Sequence, residues 1–289
     1  MELQLKAYAK INLGLDVLKK REDGYHEVRM VMQTIGLYDV LKLTDIDEDN
    51  VEIESSQKIV PLKEDNIVYK ACMLIKEEYG IEKGVKIYIE KNIPVAAGMA
   101  GGSTDAAAAL IGMNKLFNLG ISTGKLMEHG AKLGADVPYC IMQGTALAEG
   151  IGEKLTRLSP MPKCYILIAK PPVGVSTKMV YNNLNVEGIS YHPDIDKLIE
   201  ALSAGDLKGI TDTMGNVLET VTIPKYPVIQ EIKVVMRKAG AVNPIMSGSG
   251  PTVLGLFEDE ETAMAAAKKI KDEKFANSVF VVEPVNVSE

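Results

Sequence analysis

Alternating apolar and polar residues open the chain and predict β-strands. The alternation runs through residues 3–9 and 12–18, with an interruption near Lys10, and it continues through residues 29–43. A shorter run at 85–89 repeats the pattern and leads straight into a glycine-rich segment. We therefore expect the first part of the chain to build a half-buried sheet.

Apolar residues at helical spacing lie between and after these strands. Asp65 and Asn66 are expected to open a helix that Gly80 closes, with an apolar face of Ile67, Ala71, Leu74 and Ile75. Ser122 is expected to begin a shorter helix that runs toward Leu133.

A further helix is predicted directly behind the glycine-rich segment. Ser103 or Thr104 can cap it and Gly120 is its expected end, with an apolar face of Leu110, Met113 and Phe117. A loop is predicted at 134–138, where the final proline favours an extended Val137.

The second half of the chain has a different order of elements, behind a proline-containing link at 153–163. A strand is expected at 164–169. Helices are expected at 194–202, 207–218, 228–239 and 260–271, and further strands at 244–246, 253–257 and 279–282. This order favours an α+β fold with helices on one face of a sheet, and we expect two domains, residues 1–158 and 159–289.

Composition restricts the classes of function. The 289 residues are 46% apolar and 25% charged, and the net charge of −7 argues against a nucleic acid partner. No apolar run reaches the length of a membrane span, and the start is typical of a strand, not of a signal peptide. Three cysteines, Cys72, Cys140 and Cys164, match neither a disulfide framework nor a zinc site. We therefore expect a cytoplasmic protein without a membrane or nucleic acid partner.

The glycine-rich segment carries the first candidate chemistry. Between a strand and a helix, backbone N–H groups and the positive helix end converge on an anion, for which phosphate is the natural choice. The spacing fits neither the dinucleotide-binding pattern nor the P-loop, and the P-loop-like run at 120–126 has too few spacer residues. A tight turn without a ligand is the alternative. The candidate phosphate-binding residues are Pro94, Val95, Ala96, Ala97, Gly98, Met99, Ala100, Gly101, Gly102, Ser103 and Thr104.

Three motifs occur in a fixed order along the chain. They are Ala-Lys-Ile-Asn-Leu-Gly-Leu at 9–15, the glycine-rich segment at 94–107, and Met-Ser-Gly-Ser-Gly-Pro-Thr at 246–252. Together they resemble the GHMP kinase superfamily, which includes galactokinase, homoserine kinase, mevalonate kinase and phosphomevalonate kinase. The resemblance implies an ATP-dependent small-molecule kinase with an N-terminal mixed α/β domain and a C-terminal ferredoxin-like α/β sandwich. It also implies an active site in the cleft between these domains.

Two further motifs narrow the resemblance. Asp-Gly-Tyr-His at 23–26 and Gly-Ala-Asp-Val-Pro at 134–138 are similar to a branch of the superfamily whose substrate carries a cytidine diphosphate group. The resemblance implies phosphorylation of the 2-hydroxyl of diphosphocytidyl-methylerythritol, in the non-mevalonate route to isoprenoid precursors. One alternative is another kinase of the superfamily, acting on homoserine, mevalonate or a sugar. A non-catalytic nucleotide-binding protein is a second alternative, which the intact Lys10 and Asp136 disfavour.

The resemblance also assigns catalytic roles. Asp136 matches the family's catalytic aspartate, which accepts or orients the substrate hydroxyl proton, and the resemblance places Lys10 beside it, where it would keep Asp136 ionised. Asn12 shares the face of Lys10 by strand periodicity and is expected to contact substrate hydroxyls. Without the motifs, Asp136 is an ordinary turn residue and Lys10 an exposed edge-strand lysine.

The cytidyl pocket is assigned in the same way. Tyr25 is expected to stack on the base while His26, at an exposed place in a turn, hydrogen-bonds its edge. Tyr181 would supply the second stacking face, with Thr177 nearby. The remaining residues expected on the substrate side are Ser247, Gly248, Ser249 and Gly250.

The nucleotide side leaves alternatives open. Asn66 and Lys91 resemble adenine or ribose contacts, but a helix cap and a solvated lysine explain them equally well. Asp105 would face away from the phosphates, cap the helix or meet Mg²⁺, which is expected to accompany ATP. No acidic pair is identifiable as a metal ligand, so no metal residue is assigned. His129 and His192 match no motif and are expected to be ordinary surface residues.

Overall fold

The chain forms two compact units, each assembled from separate stretches of sequence, in a computed structural model that describes residues 1–287. The first unit comprises Met1–Ala9, Leu37–Val95 and Ala100–Met142, and the second comprises Lys10–Gly36, Ala96–Met99 and the described chain from Gln143 onward. Two long strands, β1 (Glu2–Lys20) and β2 (His26–Ile46), contribute residues to both units. The linear division at residue 158 stays a prediction.

The first unit contains a sheet and four helices. Its strands run in the order β3-β4-β2-β1, where β3 is Val51–Ser55 and β4 is Gly84–Glu90. Strand β4 pairs antiparallel with β2 and parallel with β3. The helices are α1 (Ile67–Tyr79), α2 (Gly101–Leu116), α3 (Thr123–Leu133) and α4 (Val137–Met142). Helix α2 packs against both α1 and α4.

Local sequence signals set the ends of two of these helices. The Asn66 side chain accepts a hydrogen bond from the Val68 N–H at 2.8 Å, and Gly80 ends α1 in left-handed backbone with φ 62°. Ser122 caps α3 by accepting from the Lys125 N–H at 3.3 Å. The predicted ends of α1 and the predicted start of α3 are confirmed.

Helix α2 differs from its prediction at both ends. Its N-cap is Ala100, in left-handed backbone with φ 56°, and no side chain caps the helix. Ser103 and Thr104 lie inside the helix, where the Thr104 hydroxyl donates to the Tyr8 carbonyl at 2.7 Å. The helix ends at residue 116, and Gly120 lies in the turn behind it with φ 67°. The hydroxyl predicted as a cap therefore anchors the helix to β1.

Two other local predictions are wrong. Strand β1 continues through Lys10, whose side chain is buried, so no interruption separates two strands. Val137 is not extended but begins α4. Pro138 is tolerated in this first helical turn because its missing N–H would have no partner inside the helix.

The second unit contains two groups of strands and six helices. Strand β5 (Thr145–Gly150) pairs antiparallel with β2 and with β6 (Lys154–Arg157). The second group consists of β7 (Tyr165–Lys170), β9 (Ile245–Met246), β10 (Val253–Phe257) and β11 (Ser278–Val282). They form a four-stranded antiparallel sheet in the order β11-β7-β10-β9. The helices are α5 (Thr177–Asn183), α6 (Ile195–Ala204), α7 (Leu207–Thr213), α8 (Glu219–Lys225), α9 (Val228–Lys238) and α10 (Glu260–Asp272).

The helix predicted at 207–218 is wrong in its second half. Helix α7 ends at Thr213, and the short strand β8 (Gly215–Asn216) follows and pairs in parallel with β1. A strand of two residues is too short to produce an alternating pattern. Helices α5 and α8 were not predicted, because seven residues are only about two helical turns and show the helical period weakly.

Cys72, Cys140 and Cys164 are free and buried, and burial raises the thiol pKa of Cys72 and of Cys164 to about 12. Between residues 1 and 287, no helix combines the length and the apolar character that crossing a membrane requires.

Candidate active site

Lys10 and Asn12 lie on the same face of β1 in the second unit. Both are buried, and the Lys10 Nζ donates to the Asn12 Oδ1 at 2.9 Å. The spacing of two residues brings the side chains together because alternate residues of a strand point to one face. The shared face predicted from the sequence is confirmed.

The glycine-rich segment passes Lys10 in left-handed backbone. Gly98 has φ 72°, and the Met99 carbonyl accepts a hydrogen bond from the Lys10 N–H at 3.2 Å. A Cβ atom on Gly98 would lie 2.5 Å from the Ser247 carbonyl oxygen, which is closer than side-chain carbons approach such atoms. Glycine is therefore required at position 98 for both its backbone angle and its lack of a side chain.

Ser247 joins the three motifs in the second unit. Its hydroxyl accepts from the Asn12 N–H at 3.3 Å and donates to the Gly98 carbonyl at 3.1 Å. The residue is fully buried, and Gly248 and Gly250 behind it have φ 56° and φ 87°. Motifs that begin at residues 9, 94 and 246 of the sequence thus meet around one hydroxyl group.

Two of the three rings expected to bind a nucleobase, those of His26 and Tyr181, lie close together. The centroids of His26 and Tyr181 are 5.2 Å apart with the planes tilted by 39°, and the Thr177 hydroxyl lies 2.9 Å from that of Ser249. Tyr25 is 60% exposed, whereas the expectation that His26 is exposed is wrong, because only 7% of it is accessible. Burial, reinforced by the charge of Lys20, lowers the pKa of His26, which favours a neutral ring at neutral pH.

Two predicted site residues of the first unit lie at helix starts. Besides capping α1, Asn66 donates from Nδ2 to the Pro61 carbonyl at 2.6 Å. Asp136 is half-buried directly before α4, and its carbonyl accepts from the Cys140 N–H at 3.0 Å.

The first turn of α2 begins at Gly101 and Gly102, whose helical position leaves backbone N–H groups without partners inside the helix. These N–H groups can bind an anion.

Lys91 lies in a buried ion cluster with Asp39 and Asp105 in the first unit. Its Nζ contacts the Asp39 carboxylate and donates to Asp105 Oδ2 at 2.7 Å, and all three side chains are at most 4% exposed. Asp39 Oδ1 also accepts the backbone N–H groups of Asn92 and Ile93. Lys91 is therefore not a solvated lysine, and its role as a nucleotide contact stays a prediction.

The buried charges of Lys91 and Asp39 act on the pKa of Asp105. Burial raises its pKa, the Lys91 charge opposes this, and Asp39 adds to it, which brings the pKa to about 8. One oxygen, Oδ1, is buried without a hydrogen-bond partner among the described residues. Of the roles open at the sequence level, capping of α2 does not occur, because no side chain caps that helix, and the other two stay predictions.

Because Asp105 titrates differently in the folded and unfolded protein, the free energy of unfolding should depend on pH. Between about pH 4 and pH 8 the folded protein holds a proton on Asp105 that the unfolded chain releases. Its contribution to stability is therefore fully present at low pH and falls by up to about 1.4 kcal/mol per pH unit as the pH rises through this window. Asp105→Asn cannot titrate and should flatten the slope, as measured by urea unfolding across the window. Equal slopes in both proteins would contradict the shifted pKa.

The two histidines outside the motifs, His129 and His192, differ in burial. His129 is not the surface residue that the sequence predicts, but is fully buried with its Nε2 3.0 Å from the Tyr79 hydroxyl. His192 has a side chain that is 47% exposed, and its Nδ1 lies 2.7 Å from Asp16 Oδ1. Both of these contacts are made to residues outside the motifs.

The described side chains do not by themselves form a metal centre. Residues 1–287 contain no group of three or more His, Cys, Asp or Glu residues that could hold a metal ion.

Comparison with known proteins supplies the family. The chain matches the models for GHMP kinases N terminal domain at residues 66–144 and GHMP kinases C terminal at residues 183–277. A protein of Lachnospira eligens named 4-diphosphocytidyl-2-C-methyl-D-erythritol kinase is 56% identical over 97% of this chain and 98% of its own. One of the same name from Caldicellulosiruptor bescii is 51% identical over 93% and 94%.

Solved structures agree in fold. A crystal structure of 4-(cytidine 5'-diphospho)-2C-methyl-D-erythritol kinase superposes with a TM-score of 0.85 at 30% identity, over 99% of this chain and 100% of the other. Homoserine kinase from Cytophaga hutchinsonii superposes with a TM-score of 0.79 at 21% identity, over 99% and 95%, and shares the fold. The predicted two-domain mixed α/β fold is confirmed. The chain belongs to the GHMP kinase family, among the 4-diphosphocytidyl-2-C-methyl-D-erythritol kinases.

Proposed function

We propose that this kinase transfers the γ-phosphate of ATP to the 2-hydroxyl of 4-diphosphocytidyl-2-C-methyl-D-erythritol, in the non-mevalonate route to isoprenoid precursors. The observation that carries the proposal is the meeting of three motifs at the Ser247 hydroxyl, which contacts both Asn12 and Gly98. The names of relatives that match nearly the whole chain support the choice of substrate. The buried, free cysteines are compatible with a reaction in the reducing cytoplasm.

The proposed ATP site uses the glycine-rich segment and the start of α2. Free backbone N–H groups in this first helical turn would bind the phosphate oxygens, and the lack of a side chain at Gly102 leaves room for them. Mg²⁺, when it accompanies ATP, would neutralise part of the phosphate charge, and no residue of this chain is assigned to hold it. Asn66 and Lys91 stay assigned to the adenosine end.

The proposed acceptor site uses Asp136, Lys10 and Asn12. The Asp136 carboxylate accepts the proton of the substrate 2-hydroxyl while the oxygen of that hydroxyl forms the bond to the γ-phosphorus. The bond from that phosphorus to the oxygen bridging it to the β-phosphate breaks, and ADP leaves with the electron pair. The ammonium of Lys10 stabilises the negative charge that develops on the acceptor oxygen, while Asn12 orients the substrate hydroxyls.

The proposed cytidyl site uses His26, Tyr181 and Tyr25. The neutral ring expected for His26 has one donor and one acceptor nitrogen, which suits the edge of cytosine. Tyr25 and Tyr181 would stack on the faces of the base. Ser249 and Thr177, whose hydroxyls lie 2.9 Å apart, would contact the rest of the substrate.

A direct comparison of acceptors tests the function. Purified protein with ATP and Mg²⁺ should release ADP when 4-diphosphocytidyl-2-C-methyl-D-erythritol is added, and not with homoserine, mevalonate or galactose. Mass spectrometry of the product should show one added phosphoryl group. Turnover of one of the other alcohols would assign a different kinase activity, and ATP binding without any turnover would indicate a binding protein.

Removing the exposed ring should weaken binding of the cytidyl substrate alone. Tyr25→Ala should raise the KM for that substrate by about 5- to 150-fold, corresponding to about 1–3 kcal/mol for one stacking contact, and leave the KM for ATP unchanged. Steady-state kinetics measure both values. Tyr191→Ala is the matched control because Tyr191 is 62% exposed and lies in no predicted motif. An unchanged substrate KM in Tyr25→Ala would indicate that the base binds in another pocket.

A further inference from the structure

Asn216 holds the loop that contains Ser247. Its Nδ2 donates to the carbonyls of Met246 at 2.7 Å and Gly248 at 2.8 Å, so both amide hydrogens bind the loop. Its Oδ1 accepts from the Leu218 N–H at 2.9 Å. The side chain is 7% exposed, so water does not substitute easily for these partners.

The residues that follow Asn216 bind the same loop. Glu219 accepts the Met246 N–H at Oε1 at 2.7 Å, and its other oxygen pairs with Lys233. The Thr222 hydroxyl donates to the Ser249 carbonyl at 3.3 Å. A single segment at 216–222 therefore binds four backbone groups of residues 246–249.

The loop needs such support because regular structure does not set its conformation. Gly248 and Gly250 are both in left-handed backbone, and β9 ends at Met246. Within the loop, the Ser247 N–H donates to the Thr252 carbonyl at 2.8 Å and the Gly250 N–H donates to the Ser247 carbonyl at 2.9 Å. A rotation of the peptide groups on either side of Ser247 would move its hydroxyl away from Gly98 and Asn12.

We propose that Asn216 is a positioning residue for phosphoryl transfer, which fixes the Ser247–Gly250 loop so that the Ser247 hydroxyl keeps its contacts with Asn12 and Gly98. This role rests on the proposed function, since it assumes that the loop lines the acceptor side. An amide suits the position because it donates twice and accepts once without carrying charge. A carboxylate of the same shape would instead place an oxygen against two carbonyl oxygens.

Asn216→Asp tests the proposal because its effect should depend on pH. At about pH 7.5 the variant should lose about 10- to 100-fold in kcat/KM for the cytidyl substrate, the range expected when buried carbonyls lose their donors. As the pH falls and the new carboxyl group gains a proton, it can donate again, so the ratio of variant to wild-type activity should rise. The KM for ATP should change much less than the KM for the acceptor.

A matched variant separates positioning from loss of stability. Asn243 donates to the Met214 carbonyl at 2.7 Å in the same unit, outside the loop. Asn243→Asp should therefore share any general destabilisation, measured as Tm, but keep both KM values and show no recovery at low pH. Equal kinetics in the two variants, or an activity loss in Asn216→Asp that follows Tm alone, would overturn the proposal.

A second variant keeps the test decisive if Asn216→Asp does not fold. Thr222→Val removes only the bond to the Ser249 carbonyl and should raise the acceptor KM several-fold with kcat less affected. An unchanged acceptor KM in this variant would count against the proposal. If wild-type protein phosphorylates another alcohol, the function fails separately, and the same variants then report on the KM of that alcohol.

Discussion

Replacing Asp136 with Asn should lower kcat by about 10²- to 10⁴-fold, which is the typical contribution of a general base. The two side chains have nearly the same shape, but the amide cannot take up the proton of the attacking hydroxyl. Because the substitution removes a function needed in the transition state, KM should change far less than kcat. Single-turnover measurement of phosphorylated product with saturating ATP and acceptor reports the chemical step directly.

The control for this experiment is Asp272→Asn. Asp272 is exposed at the end of α10 and lies outside every motif, so this variant should keep wild-type kcat. Because Asp136 also precedes α4, urea unfolding of Asp136→Asn should accompany the kinetics. A folded Asp136→Asn protein with nearly normal turnover would remove Asp136 from the mechanism.

Features encoded within a few consecutive residues could be predicted from the sequence. Asn66 and Gly80 mark the ends of α1 because capping depends on neighbouring backbone groups. The shared face of Lys10 and Asn12 follows from strand periodicity alone. The family resemblance was recognisable because its motifs are contiguous and keep their order.

Features that depend on distant partners could not be predicted. Asp39 was missed because it becomes significant only beside Lys91, which lies 52 residues further along the chain. Asn216 was missed because its signal is a single polar residue, and the loop it binds begins 30 residues later. Burial of His129 likewise results from packing of α1 and α3, which periodicity does not resolve.

The largest expected effect on stability comes from Lys91→Met. The substitution leaves two acidic side chains, Asp39 and Asp105, buried with no cation between them. Removing one partner of a buried ion pair typically costs about 3–5 kcal/mol, because the remaining charge has lost both water and its counter-ion. Urea unfolding well above pH 8, where Asp105 is ionised in the wild-type protein, should show the decrease in the free energy of unfolding, although loss of the Lys91 charge raises the pKa of Asp105 further in the variant.

Two comparisons make the prediction for Lys91 specific to the buried cluster. Lys86→Met removes a lysine from β4, the strand that Lys91 directly follows, and its partner Glu54 lies 2.8 Å away on the surface, so the loss should be only about 0–1 kcal/mol. Adding Asp105→Asn to Lys91→Met removes one of the two buried negative charges and should therefore recover part of the lost stability. The recovery should shrink as the pH falls, because protonation of Asp105 neutralises the same charge in the single variant. If Lys91→Met and Lys86→Met lose equal stability, the cluster is not the tightly buried ion pair that its geometry indicates, since the difference in expected cost rests on the burial of Lys91.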